Sequence, residues 1–328
     1  MQNARAKHAL RLALLTPDQC VGDFAEARAE PCFTSIRDTV DLDSYIRTIK
    51  RVLCGYFKAQ RDTFPIGLTE HLLKSLMQSE TAEDEEQDAP NAQSAALLEG
   101  LQEVLVDWLE KDHARFQTAL VTALHAAASA GFLAACNSWK KRLALGLSPS
   151  RTSPRLYNWA KRRGDQLLAL LDKTTRRRIT EIITKARKHA LSIDETMRSI
   201  REYLDNITHG RAEMAARMEA NNAVNEGEFQ ANKALGATAK AWITCRDAFV
   251  CPTCLRNEQE GRIPIEDPFP SGHNHPPAHP HCRCTIVYFG VTLQSALRTV
   301  GLMPETLLLA RRIHNRYAIS PLSLRLGS

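Results

Sequence analysis

The sequence predicts a mainly α-helical protein with a small β unit near its C-terminus, which is an α+β fold. Apolar residues recur at helical spacing through most of the first 233 of its 328 residues. Aromatic and β-branched residues instead dominate two short segments, 241–250 and 284–291, which are predicted strands. With 44% hydrophobic and 24% charged residues, the composition is that of a globular protein with a sizeable core.

The N-terminal region, residues 1–145, is predicted to be helical apart from one loop. The first twenty residues are amphipathic, and Arg11 interrupts their apolar patch, which favours a helix over a signal peptide. In DSYIRTIKRVLCGYF the apolar residues lie three or four apart, and Asp43 or Ser44 is the expected N-cap. No apolar run of about 18 residues occurs, so we expect no bilayer-spanning helix and no membrane partner.

Two segments of unusual composition divide the chain. SETAEDEEQDAPNAQS, 79–94, is acidic and lacks large apolar residues, which predicts an exposed loop. An Ala- and Leu-rich stretch follows to residue 145 and predicts one long helical segment. GLSPSRTSP then combines Gly, Ser and two Pro, so we expect residues 146–153 to link two units.

Residues 154–290 are the predicted second unit, with several helices followed by the β unit. Separate apolar faces predict helices starting near 154 and 179, and Ser192 with Glu195 forms a capping box that opens a third. A fourth helix, roughly 209–233, contains Asn221, Asn222 and Asn225 close together, and because Asn is a poor helix former, contacts outside the helix must justify them. Residues 291–328 are predicted to form a basic helical tail.

Charge differs between the two halves. Residues 1–153 carry 17 Lys and Arg against 20 Asp and Glu, whereas residues 154–328 carry 26 against 17. A basic C-terminal half indicates an acidic partner, such as nucleic acid or an acidic protein surface, or simply solvated helix faces.

Cysteines and histidines cluster around the loop between the two predicted strands. VCPTC at 250–254 and HPHCRC at 279–284 resemble the two ligand pairs of a tetrahedral zinc site. The candidate ligands are Cys251, Cys254, His279, Cys282 and Cys284, with His281 beside them. The preferred set is Cys251, Cys254, Cys284 and one of His279 or Cys282. A disulfide, or unbonded thiols in a small core, are the alternatives, but the loop has few apolar residues and needs a staple.

The sequence favours structural over catalytic zinc. A catalytic site keeps an open position and needs a base, for which the loop offers Glu258, Glu260, Glu266 and Asp267. However, neither the H-x-E of zinc deaminases nor HExxH occurs in the chain. His273 and His275 could form a second metal pair, but we expect exposed loop histidines. The fold is therefore predicted to contain a zinc-stapled β unit and no catalytic residues.

A basic helix is the candidate nucleic-acid contact. KTTRRRITEIITKARKH, 173–189, places Ile on one face and seven cations elsewhere. Such a helix binds phosphates without sequence preference, or is a solvated amphipathic helix, and it lacks aromatic residues to stack bases. The candidate residues are Arg176, Arg177, Arg178, Lys185, Arg187 and Lys188.

Across roughly 154–288 the order of motifs resembles the head morphogenesis domain of tailed phages, the phage Mu protein F-like family. The residues that carry the resemblance are RAEMAARMEANNAVNEG at 211–227, Trp242, Asp247, VCPTC, and PPAHPHCRCTI at 276–286. Met218 departs from the pattern, since that helix often has Thr before Glu219.

The resemblance implies a minor capsid protein of a bacteriophage or prophage, without enzymatic activity. Such a protein binds the portal protein and other capsid or scaffold proteins, and assists procapsid assembly or DNA packaging and delivery. It would occupy the host cytoplasm during assembly and then the virion. A zinc enzyme acting on nucleic acid or peptide, or a non-specific DNA-binding module, are the alternative functions.

Overall fold

The computed structural model describes residues 39–80, 92–142 and 154–291. The helices have the following bounds: α1 Leu42–Thr63, α2 Ile66–Glu80, α3 Ala92–Glu110, α4 His113–Arg142, α5 Pro154–Lys188, α6 Ile193–Ala234 and α7 Pro252–Gln259. The strands are β1 Ala239–Ile243, β2 Arg262–Pro264 and β3 Thr285–Phe289. The predicted first helix, most of the acidic loop, the linker and the basic tail lie outside the described residues.

Helix α1 begins two or three residues earlier than predicted. Its N-cap is Asp41, whose carboxylate accepts a hydrogen bond from the Ser44 backbone N–H at 3.1 Å. The expectation of Asp43 or Ser44 was wrong because both residues already lie in the first turn, whose free N–H groups Asp41 serves. The helix ends at Thr63, before Phe64 and Pro65, because a residue preceding proline disfavours helical backbone angles.

The long Ala- and Leu-rich segment is two helices rather than one. The chain turns at Lys111 and Asp112, and the Asp112 carbonyl accepts from the Phe116 N–H, the first hydrogen bond of the next turn. The turn lets α3 pack against α2 while α4 packs against α6. The segment therefore forms two helices because its two parts pack against different helices, and the periodicity of apolar residues does not show this.

The second unit has fewer and longer helices than predicted. The two expected helices from residue 154 are one 35-residue helix, α5, and the two from residue 193 are one 42-residue helix, α6. Buried positions continue without interruption along each, so no break is required. The capping box is confirmed: Ser192 Oγ accepts from the Glu195 N–H at 3.2 Å, and Glu195 accepts from the Ser192 N–H at 2.8 Å.

Helices α4 and α6 cross at very short range. A Cβ added to Gly131 would overlap the carbonyl oxygen of Val224, and one added to Gly227 would overlap the carbonyl oxygen of Ala128. Only glycine allows two helix backbones to approach this closely. The crossing therefore locks α4, from the N-terminal region, onto the central helix of the second unit.

A buried polar network joins the same regions. The carboxylate of Asp172, on α5, accepts hydrogen bonds from the Tyr56 hydroxyl at 2.6 Å and from the Gln60 amide at 2.7 Å, and it also pairs with His113. Nearby, Arg163 of α5 forms a two-point ion pair with the buried Glu219 of α6. One hydrophobic core includes residues of α1 to α6, so the helices on both sides of the predicted linker pack together. The boundary at 146–153 itself stays a prediction.

Helix α4 is long and apolar enough, by length and composition, to cross a membrane over His113–Trp139. Here it is a core helix, with Leu120, Leu124 and Ala127 fully buried against neighbouring helices. The absence of a membrane partner remains an expectation.

The β unit is a three-stranded antiparallel sheet in the order β2-β1-β3. Both predicted strands are present but shorter than expected, because residues 244–250 leave the sheet to carry the chain to Cys251. Strand β2 and helix α7 were not predicted. A small apolar cluster around Trp242 includes Ile263, Phe269 and Ile286, so the loop has more of a core than the sequence indicated.

Candidate metal centre

Helix α7 begins at the first cysteine pair and fixes its geometry. Cys251 is the N-cap, Pro252 occupies the first turn, and the Cys251 Sγ accepts from the Cys254 N–H at 3.3 Å. Proline suits this position because the first-turn N–H groups have no partner within the helix. The turn brings both sulfur atoms to the same side.

The second cluster brings its side chains to these sulfur atoms. His279 Nε2 lies 3.1 Å from Cys251 Sγ and 3.2 Å from Cys254 Sγ. The Sγ atoms of Cys254 and Cys282 are 3.8 Å apart. Cys251, Cys254 and His279 form one group of close donors, and Cys254, Cys282 and Cys284 form another, so Cys254 is shared. All five predicted ligands thus meet at one place, whereas His281 is exposed and belongs to neither group.

The S–S distance equals that expected around a tetrahedral zinc ion, whereas the two S–N distances are shorter than such an ion requires. With Zn–S of about 2.3 Å and Zn–N of about 2.0 Å, tetrahedral geometry requires S–S separations of about 3.8 Å and S–N separations of about 3.5 Å. His279 also has the correct tautomer for a ligand. Its Nδ1 lies 2.7 Å from the Pro280 carbonyl oxygen, which can only accept, so Nδ1 carries the proton and Nε2 keeps its lone pair.

The electrostatics of the thiols also fit a cation. A hydrogen bond from Cys284 lowers the pKa of Cys282 to about 5, despite burial. Burial, and then the charge of Cys282, raise the pKa of Cys254 to about 12. The cluster alone therefore stabilises one thiolate at the expense of the others, and a divalent cation would allow several thiolates together.

A buried indole lies beside the second donor group. Trp242 is completely buried, and its Nε1–H has no hydrogen-bond partner in the part of the chain that the structure describes. The raised pKa of Cys284 is due first to Cys282 and then to burial, and the Trp242 indole opposes both. The indole N–H therefore lies beside the Cys284 sulfur and is available to it as a hydrogen-bond donor.

Ion pairs hold the loop that precedes the cluster. Arg283, between Cys282 and Cys284, forms a two-point pair with Asp247 at 2.6 and 2.8 Å. Glu258 accepts from the Thr244 hydroxyl at 2.6 Å and from Arg246 at 3.0 and 2.9 Å. These contacts fix residues 244–250 against α7 and β3.

The loop carboxylates do not join the ligand cluster. Glu258 is occupied as above, and Glu266 pairs with Lys233 at 2.5 Å. Glu260 and Asp267 are exposed, and none of the four belongs to either donor group.

The expectation that His273 and His275 are exposed was wrong. His275 is buried, and its Nε2 lies 2.9 Å from the buried carboxylate of Glu226 on α6. His273 is half-buried and contacts Ser271. Composition alone places a histidine of a Gly- and Pro-rich stretch in solvent, but here a carboxylate 49 residues away holds it inside.

Helix α6 contributes site residues that sequence reasoning located but did not assign. The Asn225 side chain donates to the Pro276 carbonyl at 2.6 Å, so this Asn and Glu226 both pin the loop leading to His279. The group of Asn221, Asn222 and Asn225 in this helix was the available signal. Lys240, which was not singled out, is fully buried on β1.

All six candidate nucleic-acid residues lie on α5. Arg177, Arg178, Lys185 and Lys188 are exposed, whereas Arg176 and Arg187 are half-buried. Glu181 pairs with Arg178 at 2.9 Å and with Arg177 at 3.6 Å. Lys173, one of the seven cations of the basic segment, is also exposed, and three further exposed cations of α5 were missed: Arg155, Lys161 and Arg162.

Comparison with known families identifies part of the chain. Residues 177–287 match the family described as Phage Mu protein F like protein. The predicted resemblance is confirmed for this segment, which contains all five candidate ligands. No curated protein and no solved structure shows a significant match.

Proposed function

We propose that this protein, whose residues 177–287 match the phage Mu protein F-like family, is a minor head protein of a tailed bacteriophage or prophage. At family level the match supports a phage head morphogenesis protein, and it is the single observation that carries the proposal. The protein would act in the host cytoplasm during assembly and then remain in the virion. Its partners would be the portal protein and other capsid or scaffold proteins.

Analysis of particles tests this function. Heads should be purified from the phage or induced prophage that encodes the chain, and their proteins identified by mass spectrometry. We expect the protein at low copy number beside the portal. Its absence from both procapsids and mature heads would contradict the proposal.

The metal is proposed to be structural zinc. Five donors converge where a tetrahedral ion needs four, which supports a closed coordination shell with no position left for water. We assign the ligands Cys251, Cys254, His279 and Cys282, because His279 lies within 3.2 Å of the first two sulfurs and Cys282 lies 3.8 Å from Cys254. This set differs from the one that the sequence favoured, because Cys284 would be a buried thiol beside the site and not a ligand. When bound, zinc would supply cross-linking between α7 and the start of β3.

No enzymatic role is proposed. The surplus of donors and the engagement of Glu258 and Glu266 in other contacts support a site that holds the fold. The alternative of a zinc hydrolase would require three protein ligands, a metal-bound water and a free carboxylate.

A second candidate activity is non-specific binding of double-stranded DNA through α5. Eight exposed Lys and Arg lie along this 35-residue helix against two exposed carboxylates, Asp165 and Glu181. A helix of this length extends about 50 Å, enough to follow more than one turn of duplex. The exposed cations are Arg155, Lys161, Arg162, Lys173, Arg177, Arg178, Lys185 and Lys188.

A further inference from the structure

Lys240 is a buried cation without an ion pair among the described residues. It lies on the central strand β1, its relative exposure is 0%, and its neighbours include the rings of Phe229 and Phe269 at 4.8 and 5.3 Å from Nζ. Lysine is almost never fully buried unless a carboxylate pairs with it. The rings attract a cation, but burial outweighs them, so the position favours the neutral amine more than water does.

One side-chain amide faces this amine. Lys240 Nζ lies 3.3 Å from Asn274 Oδ1, in the loop between β2 and β3. The loop is held on both sides of Asn274: the Phe269 N–H donates to the His273 carbonyl at 2.9 Å, and His275 contacts Glu226 at 2.9 Å. The amine and the amide are thus kept together by the surrounding structure, which is the condition under which two groups react as if at high concentration.

We propose that Lys240 and Asn274 form an intramolecular isopeptide bond. The neutral Nζ attacks the side-chain carbonyl carbon of Asn274, the Nζ–Cγ bond forms, and the Cγ–Nδ2 bond breaks. Nδ2 leaves as ammonia after receiving one of the two Nζ protons. One amide replaces another, so neither an oxidant nor a further reactant is needed.

The surroundings supply what each step requires. Burial lowers the pKa of Lys240 to about 8, against the opposing charges of Glu266, Asp267 and Glu226, so a substantial fraction of the amine is neutral in mildly alkaline solution. His275 follows Asn274 directly in the chain, and its buried ion pair with Glu226 holds this part of the loop in place. Asn274 itself is exposed, which gives ammonia a path to solvent.

The product removes an electrostatic cost. An unpaired buried ammonium is unfavourable, whereas an amide is neutral and can keep its hydrogen bonds. The bond would also tie the central strand to a loop 34 residues away, independently of the metal.

Intact-mass analysis of the full-length protein tests the proposal. The protein is incubated folded at a pH above about 8, where the Lys240 amine is mostly neutral. It is then denatured, reduced and treated with chelator so that thiols and metal do not alter the mass. We expect a mass lower by one ammonia, and a digest containing one branched peptide that joins Lys240 to Asn274. Lys240→Met and Asn274→Ala should both keep the full calculated mass.

The control is Lys58→Met, which removes an exposed lysine of α1 and should leave the loss of ammonia unchanged. Asn274→Ala changes an exposed residue, so it remains informative if Lys240→Met does not fold. Wild-type protein at full mass after incubation would overturn the proposal. So would a loss of ammonia that persists in Lys240→Met, since that indicates cyclisation of Asn274 onto its own backbone.

Discussion

At the scale of single residues, the four proposed ligands can be tested by substitution, because removing any one of them leaves only three of the four in place. A double change, Cys251→Ser with Cys254→Ser, removes the shared sulfur and one partner, so we expect loss of the single zinc equivalent. A structural zinc site contributes an apparent free energy on the order of 10 kcal/mol at neutral pH, so the β unit should lose its cooperative unfolding transition. Elemental analysis and thermal melting measure the two effects.

The matched control is Cys245→Ser. Cys245 is exposed and lies outside both donor groups, so zinc content and melting should be unchanged. Comparing Cys282→Ser with Cys284→Ser identifies the fourth ligand, and we expect only the former to release metal. A double variant that retains zinc would contradict the assignment.

Single residues at the crossing of α4 and α6 should also have a large effect on the free energy of unfolding. Gly131→Ala or Gly227→Ala places a methyl group against a backbone carbonyl that cannot move without shifting a helix. Overpacking of this kind costs about 1–3 kcal/mol or more. Gly100→Ala on α3 is the control, because a Cβ there meets nothing within 4 Å. It should be neutral or add up to about 1 kcal/mol of stability, since Ala favours helix over Gly. Equal denaturation midpoints for all three variants would refute the close crossing.

At the scale of elements, the exposed face of α5 makes a prediction about DNA. Binding should be weak, equal for two unrelated duplexes, and strongly weakened by salt, because the cations that neutralise phosphates release counterions. Replacing Lys173, Lys185 and Lys188 by Ala should reduce the slope of log affinity against log salt by about 0.9 for each phosphate that is no longer neutralised.

The control for the α5 variant removes three lysine charges from parts of the chain other than α5. Lys58, Lys74 and Lys111 are exposed on other parts of the N-terminal region, and their replacement by Ala should leave the slope nearly unchanged. Sequence-specific binding that resists high salt would exclude the phosphate-binding interpretation.

At the scale of the whole molecule, the hydrophobic core shared by α1 to α6 predicts whether proteolytic fragments stay associated. Cleavage is expected within 146–153 or the acidic 79–94 segment. Because α1, α4, α5 and α6 share one hydrophobic core, the fragments should stay associated under native conditions. Gel filtration of the cleaved protein should show the original size, and denaturing gels should show separate pieces. Fragments that elute apart would mean that the two units pack only weakly.

The sequence could predict those features that depend on residues close together in the chain, and it could not predict those that depend on distant ones. The Cys-x-x-Cys turn and the Ser192–Glu195 capping box depend on residues three apart, and both were found. The partners of His275 and Asn225 lie 49 and 51 residues away, so local patterns could not show them. Strand β2 has three residues, and only its pairing with β1 defines it.

The predicted helix boundaries were wrong for a related reason. The sequence contains a turn at Lys111 but no apolar interruption, and only the different neighbours of α3 and α4 divide them. Conversely, the separate apolar faces within α5 and within α6 predicted separate helices, whereas each segment forms one helix. The mainly helical fold and the position of the small sheet depend on composition over long windows, and these were predicted correctly.

The crossing of α4 and α6 also has a consequence for synthesis. At about 5–20 residues per second, the ribosome makes Gly227 several seconds after Gly131. Throughout that interval the nascent α4 has an uncovered apolar surface and no partner for its small residues. The N-terminal helices therefore reach their final packing only after translation has produced α6, and a chain truncated before residue 193 would leave that surface open to chaperones or aggregation.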